Sequence, residues 1–136
     1  HGGQLGKKLY LTIGQMVLQH NKAAVESTAM MKNVLHEITS KRLGATVVLD
    51  KNRIVGFITD GDIRRMLEKY IQIGGLTAVD IMNPNPFKMK ASTKAVSALR
   101  LMNQKKINHL VVCDDHEAYL GIVHILDFTK EGLKDE

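Results

Sequence analysis

The chain has 136 residues, enough for one domain of ordinary size or two very small ones, and this excludes a large multidomain enzyme. Hydrophobic residues make up 44% and charged residues 24%, which is ordinary globular usage and excludes a disordered tail or a fibre. The 19 basic and 14 acidic residues give a net charge of +5 without long basic runs or clustered aromatic residues, so we expect a small anionic ligand and no nucleic acid.

The cellular location is inferred from the absence of apolar runs and from the single cysteine. No apolar run approaches the ~20 residues that cross a bilayer, so we predict a soluble chain with no membrane partner. Cys113 ends an apolar run and cannot form an internal disulfide, which predicts a buried small hydrophobic residue rather than a nucleophile. We therefore expect a reducing, cytoplasmic compartment.

From the N-terminus, the first half of the chain shows one set of predicted elements. A lead-in segment at 12–17 precedes a short strand near 23–26 and an amphipathic helix that ends before Gly44, with Ser27 or Thr28 as its N-cap. The apolar positions of this helix are spaced i, i+3, i+4 and i+7: Met31, Val34, Leu35 and Ile38. Two apolar strands follow at 45–50 and 54–59, and a second helix follows them.

The second half repeats these elements in the same order. The corresponding elements are a lead-in at 77–82, a strand near 87–90, a helix capped by Ser92 or Thr93, and strands at 109–114 and 119–124. Gly56 and Gly121 are 65 residues apart. The repeat predicts an α+β fold of two units, each strand-helix-strand-strand-helix, with apolar sheets shielded on both faces.

A unit of this size buries too little surface to be stable alone, so we expect the two copies to pack together about a pseudo-twofold axis. The predicted boundaries are repeat 1 over 12–70, a linker over 71–77 and repeat 2 over 78–136. Apolar helix faces carrying Met30, Met66 and Met102 predict a homodimer of modules.

The point where the third strand of repeat 1 meets its helix is the candidate binding site. Thr59 ends the strand, and its hydroxyl, with the backbone N–H groups of Gly61 and Asp62, faces an anion such as a phosphate, with the helix dipole behind it. Asp62 can accept both hydroxyls of a ribose. The alternative is that Thr59 or Asp60 is only an N-cap and Asp62 only a first-turn acid.

The same spacing recurs in repeat 2 as His124 and Asp127. An imidazole at a helix N-terminus can donate to a phosphate or carboxylate, and the alternative is a histidine bonded to a backbone carbonyl. His109 starts the preceding strand, beside the predicted cleft. Arg64 lies on the first turn after the first motif and either reaches acidic groups of the ligand or belongs to an exposed basic pair.

Residues 56–62 read Gly-Phe-Ile-Thr-Asp-Gly-Asp. They match the ligand motif of a known domain family, Gly-apolar-apolar-Thr-x-x-Asp. The second copy has His124 where that family usually has Thr or Ser. On these residues the chain resembles the tandem cystathionine β-synthase (CBS) domain pair, or Bateman module. The string 58–65 and the opening 2–9, Gly-Gly-Gln-Leu-Gly-Lys-Lys-Leu, resemble the regulatory module of arabinose 5-phosphate isomerases.

This resemblance implies a parent enzyme that converts ribulose 5-phosphate to arabinose 5-phosphate for lipopolysaccharide or capsule biosynthesis. Residues 1–11 would be a linker from a sugar-isomerase domain that this chain lacks. The expected ligand is CMP-Kdo as a feedback signal, with AMP or ATP as the general CBS alternative. We expect no required cofactor, no metal site and no catalytic residue, since no nucleophile, metal-ligand or phosphate-loop spacing occurs. A structural module for oligomerisation is the other alternative.

Overall fold

The computed structural model describes residues 8–18 and 22–134. Most of the linker predicted over 1–11, residues 1–7, lies outside the described residues. The chain forms two compact units, which we call the 22–86 unit and the 87–136 unit, and the second also includes the described residues 8–18.

The described elements follow the predicted order, with one additional strand at Asn83–Pro84 that was not predicted. They are α1 (Ile13–Val17), β1 (Ala24–Glu26), α2 (Met31–Lys41), β2 (Ala45–Asp50), β3 (Arg53–Thr59), α3 (Asp60–Lys69), α4 (Ala78–Ile81), β4 (Asn83–Pro84), β5 (Lys88–Lys90), α5 (Ala95–Lys105), β6 (His109–Cys113), β7 (Tyr119–His124) and α6 (Ile125–Lys130).

Each unit contains one sheet. The 22–86 unit has strand order β1-β2-β3-β4, and the 87–136 unit has β5-β6-β7. In both, the first pair is parallel and the second is antiparallel. Four successive residues of β2, 45–48, are completely buried, so this strand is shielded on both faces. The α+β prediction and the strand-helix-strand-strand-helix order are confirmed.

The lead-in segments form short helices that pack in the unit of the other repeat. Helix α1 contacts β7 and β6, whereas α4 contacts α3 and β3. The motif glycines make room for them: a Cβ on Gly121 would lie 3.1 Å from the Val17 Cβ, and one on Gly56 would overlap the Met82 side chain. Gly56 and Gly121 therefore face equivalent residues, since Val17 and Met82 are also 65 apart.

The two cores are aliphatic, as the composition suggests. One is centred on Met31, Val34, Val48 and Ile58, and the other on Met102, Leu110, Val123 and Phe128. Met66 and Met102 lie inside these cores, so the expectation that they form an exposed dimer face is wrong. Met30 is 47% exposed.

The predicted N-caps of the long helices are wrong. The caps are Met30 and Lys94, neither of which makes a side-chain capping bond, rather than the Ser or Thr residues upstream. Backbone carbonyls of the residues just before the lead-in segments serve instead. Met31 N–H donates to the Leu76 carbonyl at 3.2 Å, and Ala95 N–H donates to the Leu11 carbonyl at 2.7 Å. The first N–H of each helix is thus satisfied by a distant segment of the chain.

Two polar details mark the end of β6. Cys113 is buried as predicted, and burial raises the pKa of its thiol. In the turn that follows, the Asp114 carboxylate accepts from the backbone N–H groups of Ala118 (2.9 Å) and His116 (2.8 Å). These two bonds hold the pKa of Asp114 below its ordinary value.

Candidate functional site

Thr59 and Asp62 meet where β3 runs into α3, and they form a reciprocal capping box. The Asp62 N–H donates to Thr59 Oγ1 at 3.3 Å, and the Thr59 N–H donates to Asp62 Oδ2 at 2.9 Å. The Thr59 hydroxyl lies 3.1 Å from the same carboxylate oxygen. The hydrogen bonds at this junction are therefore those of a helix cap, which was the alternative interpretation of the sequence.

The Asp62 carboxylate is also held by two side chains from outside the capping box. Arg65 Nη2 donates to Oδ1 at 2.6 Å, and Asn83 Nδ2 lies 3.2 Å from Oδ2 and 3.4 Å from Oδ1. Asp62 is only 7% exposed. A buried carboxylate is stable in its charged form only with such partners, and here it has both a cation and neutral donors.

The first turn of α3 leaves one backbone donor open. Asp60 N–H donates to the Gly44 carbonyl at 3.1 Å, and Asp62 N–H is used by Thr59, so the expectation that Asp62 N–H faces an anion is wrong. Within the described residues the Gly61 N–H has no acceptor. With no side chain at Gly61, an anion can approach this N–H at the positive end of the helix dipole.

The two arginines after the motif behave differently. Arg64 is exposed, whereas Arg65 makes the ion pair with Asp62. Sequence reasoning missed Arg65 and Asn83 as partners of Asp62. The i, i+3 spacing of Asp62 and Arg65 on one helix could have revealed the first. The contact of Asn83 depends on the pairing of β3 with β4, which no pattern in the sequence indicated.

A cavity of about 170 Å³ lies beside this junction in the 22–86 unit. It is open to solvent and has polar and apolar walls. Its lining residues are Asp62, Arg65, Met66, Lys69, Tyr70, Asp80 and Ile81. A free space of this size next to a buried carboxylate can accept a small polar group.

His124 and Asp127 meet where β7 runs into α6, and they form the equivalent capping box. His124 N–H donates to Asp127 Oδ2 at 2.7 Å, and Leu126 N–H donates to His124 Nδ1 at 3.0 Å. The imidazole therefore accepts from a backbone N–H, which neither sequence alternative anticipated. An accepting Nδ1 requires the tautomer that carries its proton on Nε2, and that N–H is the donor this ring offers.

His109 lies directly opposite His124 in the antiparallel register of β6 and β7. The two rings are edge-to-face, with centroids 4.9 Å apart. The same register in the other unit pairs Ala45 with Thr59. The structure thus brings His109, His124 and Asp127 together in one unit, and Thr59, Gly61 and Asp62 together in the other, with Arg64 exposed one turn further along α3.

Within residues 8–18 and 22–134, no three His, Cys, Asp or Glu side chains are grouped so that they could hold a metal ion. Among the same residues, no helix is long and apolar enough to cross a membrane.

Comparison with known sequences identifies relatives of the whole chain. The sequence profile of the CBS domain matches residues 15–69 and 78–134. Arabinose 5-phosphate isomerase KdsD of Escherichia coli (strain K12) is 35% identical over 135 residues, which is 97% of this chain and 40% of that protein. KdsD of Yersinia pestis is 36% identical over 134 residues, with the same shares. The chain thus spans about two fifths of the length of these curated relatives.

Comparison with solved structures shows the same fold. The CBS domain of a CBS domain-containing membrane protein from Sphaerobacter thermophilus has a TM-score of 0.81 at 20% identity, covering 98% of this chain and 94% of that one. The CBS domain protein PAE2072 from Pyrobaculum aerophilum, solved in complex with AMP, has a TM-score of 0.77 at 22% identity, covering 86% and 89%. Since the profile matches most of the chain in two consecutive segments, the chain belongs to the CBS domain family and carries two CBS domains in tandem.

Proposed function

We propose that this chain is the regulatory module of an arabinose 5-phosphate isomerase and binds a nucleotide or sugar nucleotide at the junction of β3 and α3. The observation that carries the proposal is the open Gly61 N–H beside the buried Asp62 carboxylate, which is one donor for an anion next to one acceptor for hydroxyls. The similarity to KdsD over 97% of the chain and the AMP complex of a protein with the same fold support it.

Each residue of the junction has a separate role in this proposal. The Gly61 N–H donates to a phosphate oxygen, while the Thr59 hydroxyl stays on the Asp62 carboxylate. The dipole of the ten-residue helix α3 adds a favourable potential. The Asp62 carboxylate accepts the two hydroxyls of the ribose. Arg64, exposed one turn further on, attracts the outer acidic groups of the ligand.

The second junction is proposed as a weaker half-site. Leu126 occupies the position equivalent to Gly61, and its N–H is already used by His124 Nδ1. A phosphate therefore has no backbone donor at that position. His124 Nε2–H, with His109 and Asp127 beside it, suits a single acidic group such as a carboxylate.

The proposed ligand is CMP-Kdo, and AMP or ATP is the alternative. The parent enzyme would convert ribulose 5-phosphate to arabinose 5-phosphate in a sugar-isomerase domain outside this chain, and the activated sugar would regulate it by feedback. CMP-Kdo has a ribose for Asp62, a phosphate for Gly61 and a carboxylate for a basic or imidazole group. We further propose that the module acts as a homodimer in the cytoplasm.

Thermal unfolding with CMP-Kdo, CMP, AMP and ATP tests the proposal. A ligand at 100 times its Kd stabilises the folded state by about 2.7 kcal/mol, which raises the Tm by several degrees. Asp62→Asn should abolish the ligand-induced shift. Gln15→Ala is the control, because Gln15 closes the same kind of capping box with Thr12, at 2.9 and 3.2 Å, on helix α1 in the other unit.

A second function, a structural module for oligomerisation, is favoured by the capping boxes themselves. Both junction acids already stabilise a helix start, and this alone accounts for an acid at each position. If none of the four nucleotides shifts the Tm and the chain sediments as a dimer, this second function replaces the first. A monomer at high micromolar concentration contradicts the proposed dimer.

A further inference from the structure

We infer that Asn83 sets the nucleotide affinity of the first junction by occupying the Asp62 carboxylate until a ribose displaces it. This inference rests on the proposed function, and it adds a residue that neither the motif nor the repeat contains. It follows from the acceptor capacity of the carboxylate, the exposure of its partners and the position of Asn83 on β4.

The acceptor capacity of Asp62 is filled. A carboxylate offers about four lone-pair sites. Four donor groups lie within hydrogen-bond distance of them: Thr59 N, Thr59 Oγ1, Arg65 Nη2 and Asn83 Nδ2. A ribose diol brings two more O–H donors, so two of the present donors must leave when Asp62 accepts both hydroxyls.

The four donors differ in how easily they leave. The Thr59 N–H is fixed by the backbone at the start of α3, and its hydroxyl is anchored because it accepts from Asp62 N–H. Arg65 is 64% exposed and Asn83 is also exposed, so both can turn toward water at little cost. The exchangeable pair is therefore Arg65 and Asn83.

Asn83 is the better-positioned of the two. It pairs with Phe57 in the antiparallel register of β3 and β4, which fixes its backbone beside the junction. Its amide is neutral, so its removal leaves the electrostatic attraction for a phosphate unchanged. The equivalent position in the other repeat, 65 residues earlier, is Leu18, which cannot donate a side-chain hydrogen bond. Position 18 therefore offers no amide equivalent to that of Asn83.

The test is calorimetric titration of the natural chain and of Asn83→Ala with CMP, AMP and their 2′,3′-dideoxy analogues. Loss of one competing neutral hydrogen bond should lower the Kd of the ribonucleotide that binds by about three- to tenfold. The dideoxy analogue cannot donate to Asp62, so its Kd should be equal for the two chains. Asn33→Ala, at an exposed position on α2, is the control and should change neither value.

A double-mutant cycle on Tm tests the contact without any ligand. Asn83→Ala should lower the Tm of the natural chain but leave that of Asp62→Ala unchanged, because the contact is already lost there. No binding of any nucleotide to the natural chain refutes the proposed function and the exchange with it. Binding that Asn83→Ala weakens or leaves unchanged, or that improves equally for the dideoxy analogue, overturns the inference alone. Additive Tm changes overturn it as well.

Discussion

Gly61→Ala should raise the stability of the fold and lower the nucleotide affinity at the same time. The structure leaves space for the new methyl group: a Cβ at Gly61 would lie 3.4 Å from the guanidinium nitrogens of Arg65 and 3.5 Å from Thr59 Oγ1. These are ordinary van der Waals distances. The methyl group would cover the open N–H from the side that an anion must approach.

The gain in stability and the loss of nucleotide affinity have different physical causes. Alanine is favoured over glycine within a helix by up to about 1 kcal/mol, and Gly61 lies in the first turn of α3, so we expect a gain of a few tenths. Against this, a phosphate that loses one charge-assisted hydrogen bond loses about 1.5–3 kcal/mol, or about ten- to a hundredfold in Kd.

Urea unfolding gives the first quantity, and calorimetric titration with CMP-Kdo and AMP gives the second. Gly75→Ala is the matched control, since a Cβ there meets nothing within 4 Å and the residue lies outside the junction. A Gly61→Ala chain that binds nucleotide as tightly as the natural chain would refute the assignment of the Gly61 N–H as an anion donor.

Three further results are expected. Asp62→Ala should cost more nucleotide affinity in titration than Asp127→Ala, because stranding the ribose donors costs about 1–3 kcal/mol; equal losses would contradict the assigned order of the two junctions. Gly14→Ala should lower the free energy of unfolding by about 1–3 kcal/mol in urea, because its Cβ would lie 2.7 Å from the Ala91 Cβ; an unchanged midpoint would contradict this packing. The folded-state pKa of Asp114 lies below its ordinary value of 3.8, so its stabilisation is complete above that pH and is lost as pH falls through the folded pKa. The stability difference between the natural chain and Asp114→Ala should therefore shrink below pH 3.8, and a constant difference would count against it.

The sequence predicted the elements of the fold well because they depend on local spacing. The 65-residue repeat, the helical spacing after Met31 and the apolar strands all appear in the structure in the predicted order. The N-caps of the long helices could not be predicted in this way. Their first N–H groups are satisfied by the carbonyls of Leu76 and Leu11, and hydrogen bonds to distant backbone leave no trace in residue type.

The candidate site shows the same division between local and distant contacts. The pairing of Thr59 with Asp62 is a local i, i+3 relation that the sequence suggested as either a cap or a ligand motif. The contact of Asn83 with Asp62 joins residues 21 apart and depends on strand pairing. The role of His124 depended on which ring nitrogen meets the backbone, and residue type does not specify that choice.

The capping role and the proposed nucleotide-binding role of the first junction are compatible, because they require the same chemistry. A helix start needs an acceptor for its N–H groups and a hydrogen-bond donor for its first-turn acid. A nucleotide phosphate can supply the acceptor, and the ribose hydroxyls can supply the donors. The two junctions differ in how many of the first N–H groups of the helix already donate to an acceptor within the chain. At the second junction the Leu126 N–H donates to the His124 imidazole, whereas at the first junction the Gly61 N–H is left open. The repeat thus preserves both acids while only the copy with glycine keeps a donor available for an anion.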